Sequence, residues 1–162
     1  MMQSKTKKIV KTGITLLLVA VIIGGGIAFY MFNMPHRDIR KAKTDYELNV
    51  VEIVNEYLTE AETANAKYLS DDGNSKVLEI TGSVFHISED FNGRKVVLLK
   101  EEGMRAGVSC TFLDEASENA TSLKIGQTTV IKGVIRSGAN YIEDFDLYEH
   151  VILEQCDIVI NQ

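Results

Sequence analysis

The stretch that decides the fold is KVLEITGSVFHI, Lys76 to Ile87. Leu78, Ile80 and Val84 fall on one face of an extended chain, with Glu79, Thr81 and Ser83 on the other. That period of two marks a half-buried strand. Gly82 interrupts the run, and a mid-strand glycine signals a bulge or the sharp bend a small barrel needs. Downstream, Asn92-Gly93 is a hairpin-turn signal, and KVVLLK (Lys95–Lys100) returns as a second strand. GVSCTFL (Gly107–Leu113) reads as a third. DEASENATSLK then reads as a short helix capped by Asp114 or Ser117. QTTVIKGVIR (Gln127–Arg136) is a fourth strand, again with an internal glycine, Gly133. SGANYIEDFD reads as a loop. HVILEQCDIVI (His150–Ile160) is a fifth strand, whose apolar parity slips near Glu154 and Gln155 and so predicts a bulge.

Upstream, the spacing predicts an amphipathic helix over 46–69. Leu48, Val51, Val54 and Leu58 recur at intervals of three and four, and Glu47, Glu52, Glu56, Glu60 and Glu62 occupy the other face. A break is expected before ANAKYL (Ala64–Leu69), and SDDGNS (Ser70–Ser75) is rich in turn residues. Three strands, a short helix and two strands is the order of an OB-fold. The expected fold is therefore mainly β: a five-stranded Greek-key barrel with a leading helix and a short helix between strands three and four. The pattern alone also fits a small antiparallel sandwich.

The first 45 residues differ from the rest. They hold eight Lys/Arg and two Asp/Glu, for a charge of +6, whereas residues 46–162 hold nine and twenty-one, for −12. Ile14 to Phe32 carries no charge. Nineteen residues of helix rise about 28 Å, close to the hydrocarbon thickness of a bilayer. The organisation expected is a basic segment 1–11, a transmembrane anchor 12–34 preceding the barrel, a basic linker 35–45 and a domain 46–162. Ile14, Leu17, Val21, Ile27 and Phe29 would face lipid, with Tyr30 near the interface. A cleaved signal peptide is the rival reading, but the run is long for one and no clean small-residue site follows. Lys5, Lys7, Lys8 and Lys11 precede the run, and Arg37, Arg40, Lys41 and Lys43 follow it. Four against four leaves orientation undecided by charge. The short basic N-terminus before a first span favours a cytoplasmic N-terminus and a domain on the extracytoplasmic (periplasmic) side.

The chain also resembles a known family. ANAKYL, LEITGSV, GVSCTF, LKIGQTTVIKGV and the terminal LEQCDIVI, with MPHRDI after the anchor, are similar to the bacterial tRNA_anti-like family of OB-fold proteins. The resemblance implies the fold. It brings no catalytic residues, and fold does not fix function.

The chemistry is sparse. No Gly-rich phosphate loop is present outside the apolar run, and His36, His86 and His150 have no metal-ligand spacing. No cofactor and no obligate metal is expected, and nothing supports an enzyme. The acidic domain disfavours nucleic acid, whose affinity for proteins rests on basic residues. Nucleic-acid-binding OB-folds use basic and aromatic side chains around strands two and three. Phe85, Arg94, Lys95, Arg105, Tyr141 and Phe145 are the candidates for such a face. Cys110 shares parity with Val108 and Phe112, and Cys156 with Ile158 and Ile160. Both should point inward, and in an OB-fold strands three and five are neighbours, so a Cys110–Cys156 disulfide is possible in an oxidising compartment. The function expected is a non-enzymatic, single-pass membrane-anchored binding or scaffold module, with lipid around its helix. It would present an acidic barrel to a small ligand or protein partner. The alternative is a cytoplasm-facing, membrane-tethered OB-fold that binds tRNA or single strands.

Overall fold

The computed structural model describes residues 19–30, 39, 41–71 and 73–159. The chain divides into two compact units, Met1–Arg37 and Asp38–Gln162. In the first, residues 19–30 are helical (α1), and Val21, Ile27, Phe29 and Tyr30 are exposed on it. Ile14 and Leu17 lie outside the described residues, as do the rest of 12–18 and residues 31–34 of the expected anchor. Among the described residues no helix is long and apolar enough to cross a membrane.

The second unit is built on one long strand. β2 (Val77–Glu89) pairs with β5 (Thr128–Ser137) through Val77–Ser83, and with β3 (Lys95–Leu99) through Val84–Glu89. β3 pairs with β4 (Val108–Phe112), β4 runs parallel to β8 (Val151–Ile158), and β8 returns to β5. The ladder β2-β3-β4-β8-β5-β2 closes on itself, and closure leaves no open barrel edge. This is the five-stranded OB barrel. The short helix between its third and fourth strands is a 3-10 turn, Asp114–Ala116, running into α3 (Ser117–Thr121).

Inward residues fill the barrel: Leu78, Ile80, Val97, Leu99, Val108, Phe112, Ile131, Ile135 and Leu153 are all at or below 1% exposure. Leu78, Ile80 and Val84 take the face their alternation predicts. The bend in β2 is a bulge between Val84 and His86, a little beyond Gly82. Gly82 instead makes room. A Cβ there would meet Val50 and Leu99 at 3.2–3.3 Å, so its absence admits the start of the leading helix. The parity slip in β8 is real, with Gln155 at φ 56° and the register shifting between Lys132 and Val134.

Three expectations need correction. Tyr46–Asn49 is not helical: it is β1, parallel to β2 with Tyr46 opposite Leu78 and Leu48 opposite Ile80. Helix α2 runs Val50–Tyr68, because Asn49 and Glu52 form a reciprocal capping box that starts it at Val50. Residue 39 and residues 41–45 are part of the domain rather than a linker. Ile39 is fully buried against Val77 and Val134, Lys132 Nζ donates to the Ala42 carbonyl at 2.7 Å, and Val77 N–H donates to Asp45 at 2.8 Å. Residues 35–38 lie outside the described residues. The expected loop after the fourth strand holds a hairpin, β6 (Asn140–Ile142) and β7 (Leu147–Glu149), around a 3-10 turn at Glu143–Phe145.

The two ends of the barrel are covered by different elements. At the β2–β3 turn, Lys95 N–H donates to Ser117 Oγ and ties down α3. At the other end the β3–β4 loop meets the β6–β7 hairpin, and α2 packs beneath the segment leading into β6. There a Cβ on Gly138 would lie 1.9 Å from two atoms of the Tyr57 ring. A methyl group at that distance forces the ring or the backbone to move, which typically costs about 1–3 kcal/mol. Gly138→Ala is expected to lower unfolding free energy by about 2 kcal/mol, read from the urea midpoint. An unchanged midpoint would show that α2 does not press on this segment.

Candidate functional site

Strand alternation fixes the outer surface of β3, β4 and β8. With Val97, Leu99, Val108, Cys110 and Phe112 turned inward, Val96, Leu98, Ser109 and Thr111 turn outward and are half-buried. Val96 stands opposite Thr111, Leu98 opposite Ser109, and Ser109 opposite Ile152. His86 and Ser88 continue the surface on β2, opposite Leu98 and Val96. The face thus carries aliphatic side chains on β3 and β8, with the hydroxyls of Ser109 and Thr111 on β4 between them.

The six side chains expected to form one basic-aromatic face are divided between its two ends. Arg94 and Lys95 lie at the β2–β3 turn, where Gly93 has φ +80°. Arg94 is bound by Asp90 at 2.7 Å, and Lys95 by Glu89 at 2.6 Å. About 15 Å of β3 separates them from the other group. There Arg105, on the β3–β4 loop, is 3.2 Å from Asp146 and stacks on the Tyr148 ring at 4.7 Å. Tyr141 packs on Tyr148 with ring centroids 4.5 Å apart, and its hydroxyl donates to Asp146 at 3.0 Å. Phe145 is 77% exposed on the turn. Phe85 sits at the β2 bulge, half exposed, with Lys100 Nζ 3.9 Å above its ring.

Asp146 was not among the candidates, yet it organises this end. It occupies a left-handed position (φ 46°), which brings its carboxylate to both Tyr141 and Arg105. The Tyr141 hydrogen bond, followed by Arg105, holds its carboxyl below the ordinary value. Tyr148 was also missed. The symmetry of YIEDFDLY about its turn was the available signal, because it places Tyr141 and Tyr148 opposite one another once it folds as a hairpin.

The cysteines lie inside the barrel at 0% exposure, as their parity predicts, and both are free thiols. Burial, and then contact with Cys110, pushes the Cys156 thiol well above its ordinary value. Among the described residues no group of three His, Cys, Asp or Glu is placed to hold a metal.

The closed ladder with its parallel third and fifth strands defines the class, an OB-fold barrel. The chain belongs to the tRNA_anti-like family, whose model matches residues 1–142. Among solved structures it is similar to a lipoprotein from Klebsiella pneumoniae subsp. pneumoniae to which nucleic-acid binding is ascribed. That likeness has 15% identity over 70% of this chain and 91% of the other, with a TM-score of 0.51. A weaker likeness is to an OBody bound to hen egg-white lysozyme, at 17% identity over 54% of this chain and 98% of that one, TM-score 0.36. Another is to the S. pombe Stn1-ten1 complex, at 19% identity over 55% and 62%, TM-score 0.34. At such identities the shared property is the fold. No curated protein sequence matches the chain.

His150 joins the two strands at this end: its Nδ1 accepts the Gly107 N–H at 3.1 Å. Burial, with Lys100 nearby, lowers its pKa from the ordinary 6.5. Above that value the ring is neutral both folded and unfolded. As pH falls through about 6.5 the unfolded chain takes up the proton first, so stability declines with acidification. Denaturant midpoints measured between about pH 7 and pH 5 should fall more steeply in the native chain than in His150→Gln. Superimposable profiles would remove His150 from the account.

Proposed function

We propose that this protein is a non-enzymatic, membrane-tethered OB-fold module that docks a protein partner on the outer face of β3, β4 and β8, outside the cytoplasm. The observation that carries this reading is the division of labour on that face. Its centre is Val96, Leu98 and Ile152 with Ser109 and Thr111 between them, and three of the cations flanking it are already matched by carboxylates, while a fourth, Lys100, stands over the Phe85 ring. Arg94 is paired with Asp90, Lys95 with Glu89 and Arg105 with Asp146. A largely uncharged centre of aliphatic and hydroxyl side chains within a charged rim is the make-up of protein interfaces. A phosphate backbone would have to displace those carboxylates and approach a domain, Asp38–Gln162, of charge −11. The uncharged run Ile14–Phe32 supports the tether, and the short basic segment ahead of it supports an extracytoplasmic domain.

One observation favours the second reading, a nucleic-acid-binding module facing the cytoplasm. Arg105, Tyr148 and Tyr141 form a stacked column at the end of the face, and single-strand binders use such columns for bases. An anisotropy titration with single-stranded RNA and DNA of about 16 nucleotides separates the two. No saturable binding is expected at about 0.15 M salt. Saturable binding that weakens steeply with salt and is lost in Tyr148→Ala would transfer the assignment to nucleic acid.

A further inference from the structure

Towards the β3–β4 loop, the outer face of β3, β4 and β8 ends in a cross-strand row set by the strand register. Leu99 stands opposite Val108, and Val108 opposite Val151. One residue further along, Lys100, Gly107 and His150 lie side by side. Strand alternation turns Lys100 and His150 outward, with Leu98 and Ile152. Gly107 between them has no side chain, and the space is already closed. A Cβ there would lie 3.0 Å from Lys100 Cβ and 3.3 Å from Leu98 Cδ1. The middle of the row is therefore backbone, flanked by two side chains that donate hydrogen bonds.

Both flanking groups have donors left over. His150 Nδ1 accepts the Gly107 N–H at 3.1 Å, so the neutral ring carries its proton on Nε2. Burial, and then the charge of Lys100 nearby, favour that neutral form. Among the described residues no acceptor meets the Nε2–H. Lys100 differs from Arg94, Lys95 and Arg105, each of which has a carboxylate. Its Nζ stands 3.9 Å from the centre of the half-exposed Phe85 ring, and among the described residues no carboxylate reaches it. Glu101, its neighbour in the chain, is taken by Ser83, whose N–H and hydroxyl both donate to it at 3.0 Å. An ammonium held on a ring face still has N–H donors turned away from the ring.

We infer that the protein docked on this face presents an aspartate or glutamate side chain to the row, its carboxylate accepting hydrogen bonds from the Lys100 ammonium and the His150 Nε2–H. This rests on the protein-docking reading and names the chemistry of its partner. One ammonium and one neutral donor match a single negative charge, within a domain too acidic to draw a polyanion. A charge-assisted contact beside an uncharged centre fixes the register of the partner on the face.

A water-soluble carbodiimide tests the contact, because it joins a carboxylate to an amine it touches as an amide. Permeabilised cells that make the full-length chain are treated with it, and a parallel culture carries a photo-activatable amino acid at Leu98. The expected product is one protein adduct. Tandem mass spectrometry should map its cross-link to Lys100 and to an acidic residue of the same protein that the Leu98 probe captures. Lys100→Arg keeps the charge without the amine, and should abolish the amide while the Leu98 adduct persists. Lys100→Met removes the charge and should lower the yield of the Leu98 adduct about tenfold at limiting partner, the loss of one charge-assisted contact. Lys76, exposed ahead of β2, should give no adduct. A Leu98 protein adduct with no amide at Lys100 would overturn this inference and leave the docking reading standing. Absence of any Leu98 protein adduct would overturn both. Equal amide yields at Lys76 and Lys100 would mean indiscriminate coupling of surface amines, and would also overturn the inference.

Discussion

One strand serving two partners is the constraint on which the structure depends. The first half of β2 pairs with β5 and the second half with β3, so the chain must bend between them or the sheet stays open. The bulge between Val84 and His86 supplies the bend. It also flips the parity of the strand, so that His86 follows Phe85 onto the outer surface and Ile87 turns inward opposite Val97. The second bulge, with Gln155 in a left-handed conformation, lets β8 serve β4 and β5 together. The five barrel strands then close on themselves, with β1 added outside the ring, and the inward side chains fill the interior.

Closure leaves the two open ends of the barrel to be covered, and the chain covers them unequally. A short turn and α3 suffice at the β2–β3 end. The other end takes α2, the β3–β4 loop and the β6–β7 hairpin, and most of the unusual side-chain chemistry collects there. The Arg105–Asp146–Tyr141 cluster and the His150–Gly107 bond both form where long connections meet at this end of the barrel. Exposed ion pairs of this kind contribute about 0–1 kcal/mol each, so their role is to fix geometry rather than to hold the fold together. What they do to the surface matters more. They neutralise cations that a polyanion would need, and leave an aliphatic face between two charged ends.

The barrel was legible in the sequence because its strands obey period two over enough residues to count. The alternation of Leu78, Ile80 and Val84, the Asn92-Gly93 turn, the inward cysteines and the slip at Glu154–Gln155 all follow from local rules. What was missed is short or non-local. β1 has four residues, too few to separate a strand from the first turn of the helix behind it, and only its pairing with Leu78–Thr81 makes it a strand. Ile39 looked like an isolated apolar residue in a basic linker, and only Val77 and Val134 explain its burial. At the candidate face, residue type was visible but position was not. Arg94 and Arg105 are equally basic in the sequence, and only the path of β3 shows that they lie at opposite ends. Their carboxylate partners are a sequence neighbour in one case, Asp90, and a residue on a distant hairpin in the other, Asp146.

Docking of a protein on the outer face of β3, β4 and β8 is tested most directly by a photo-activatable amino acid placed at Leu98. The full-length chain would carry it, in the cells that make the protein. Irradiation should give a discrete protease-sensitive adduct at Leu98 and none when the same probe stands at Glu118 on α3. A nuclease-sensitive adduct at Leu98, or equal yields at the two positions, would contradict the account.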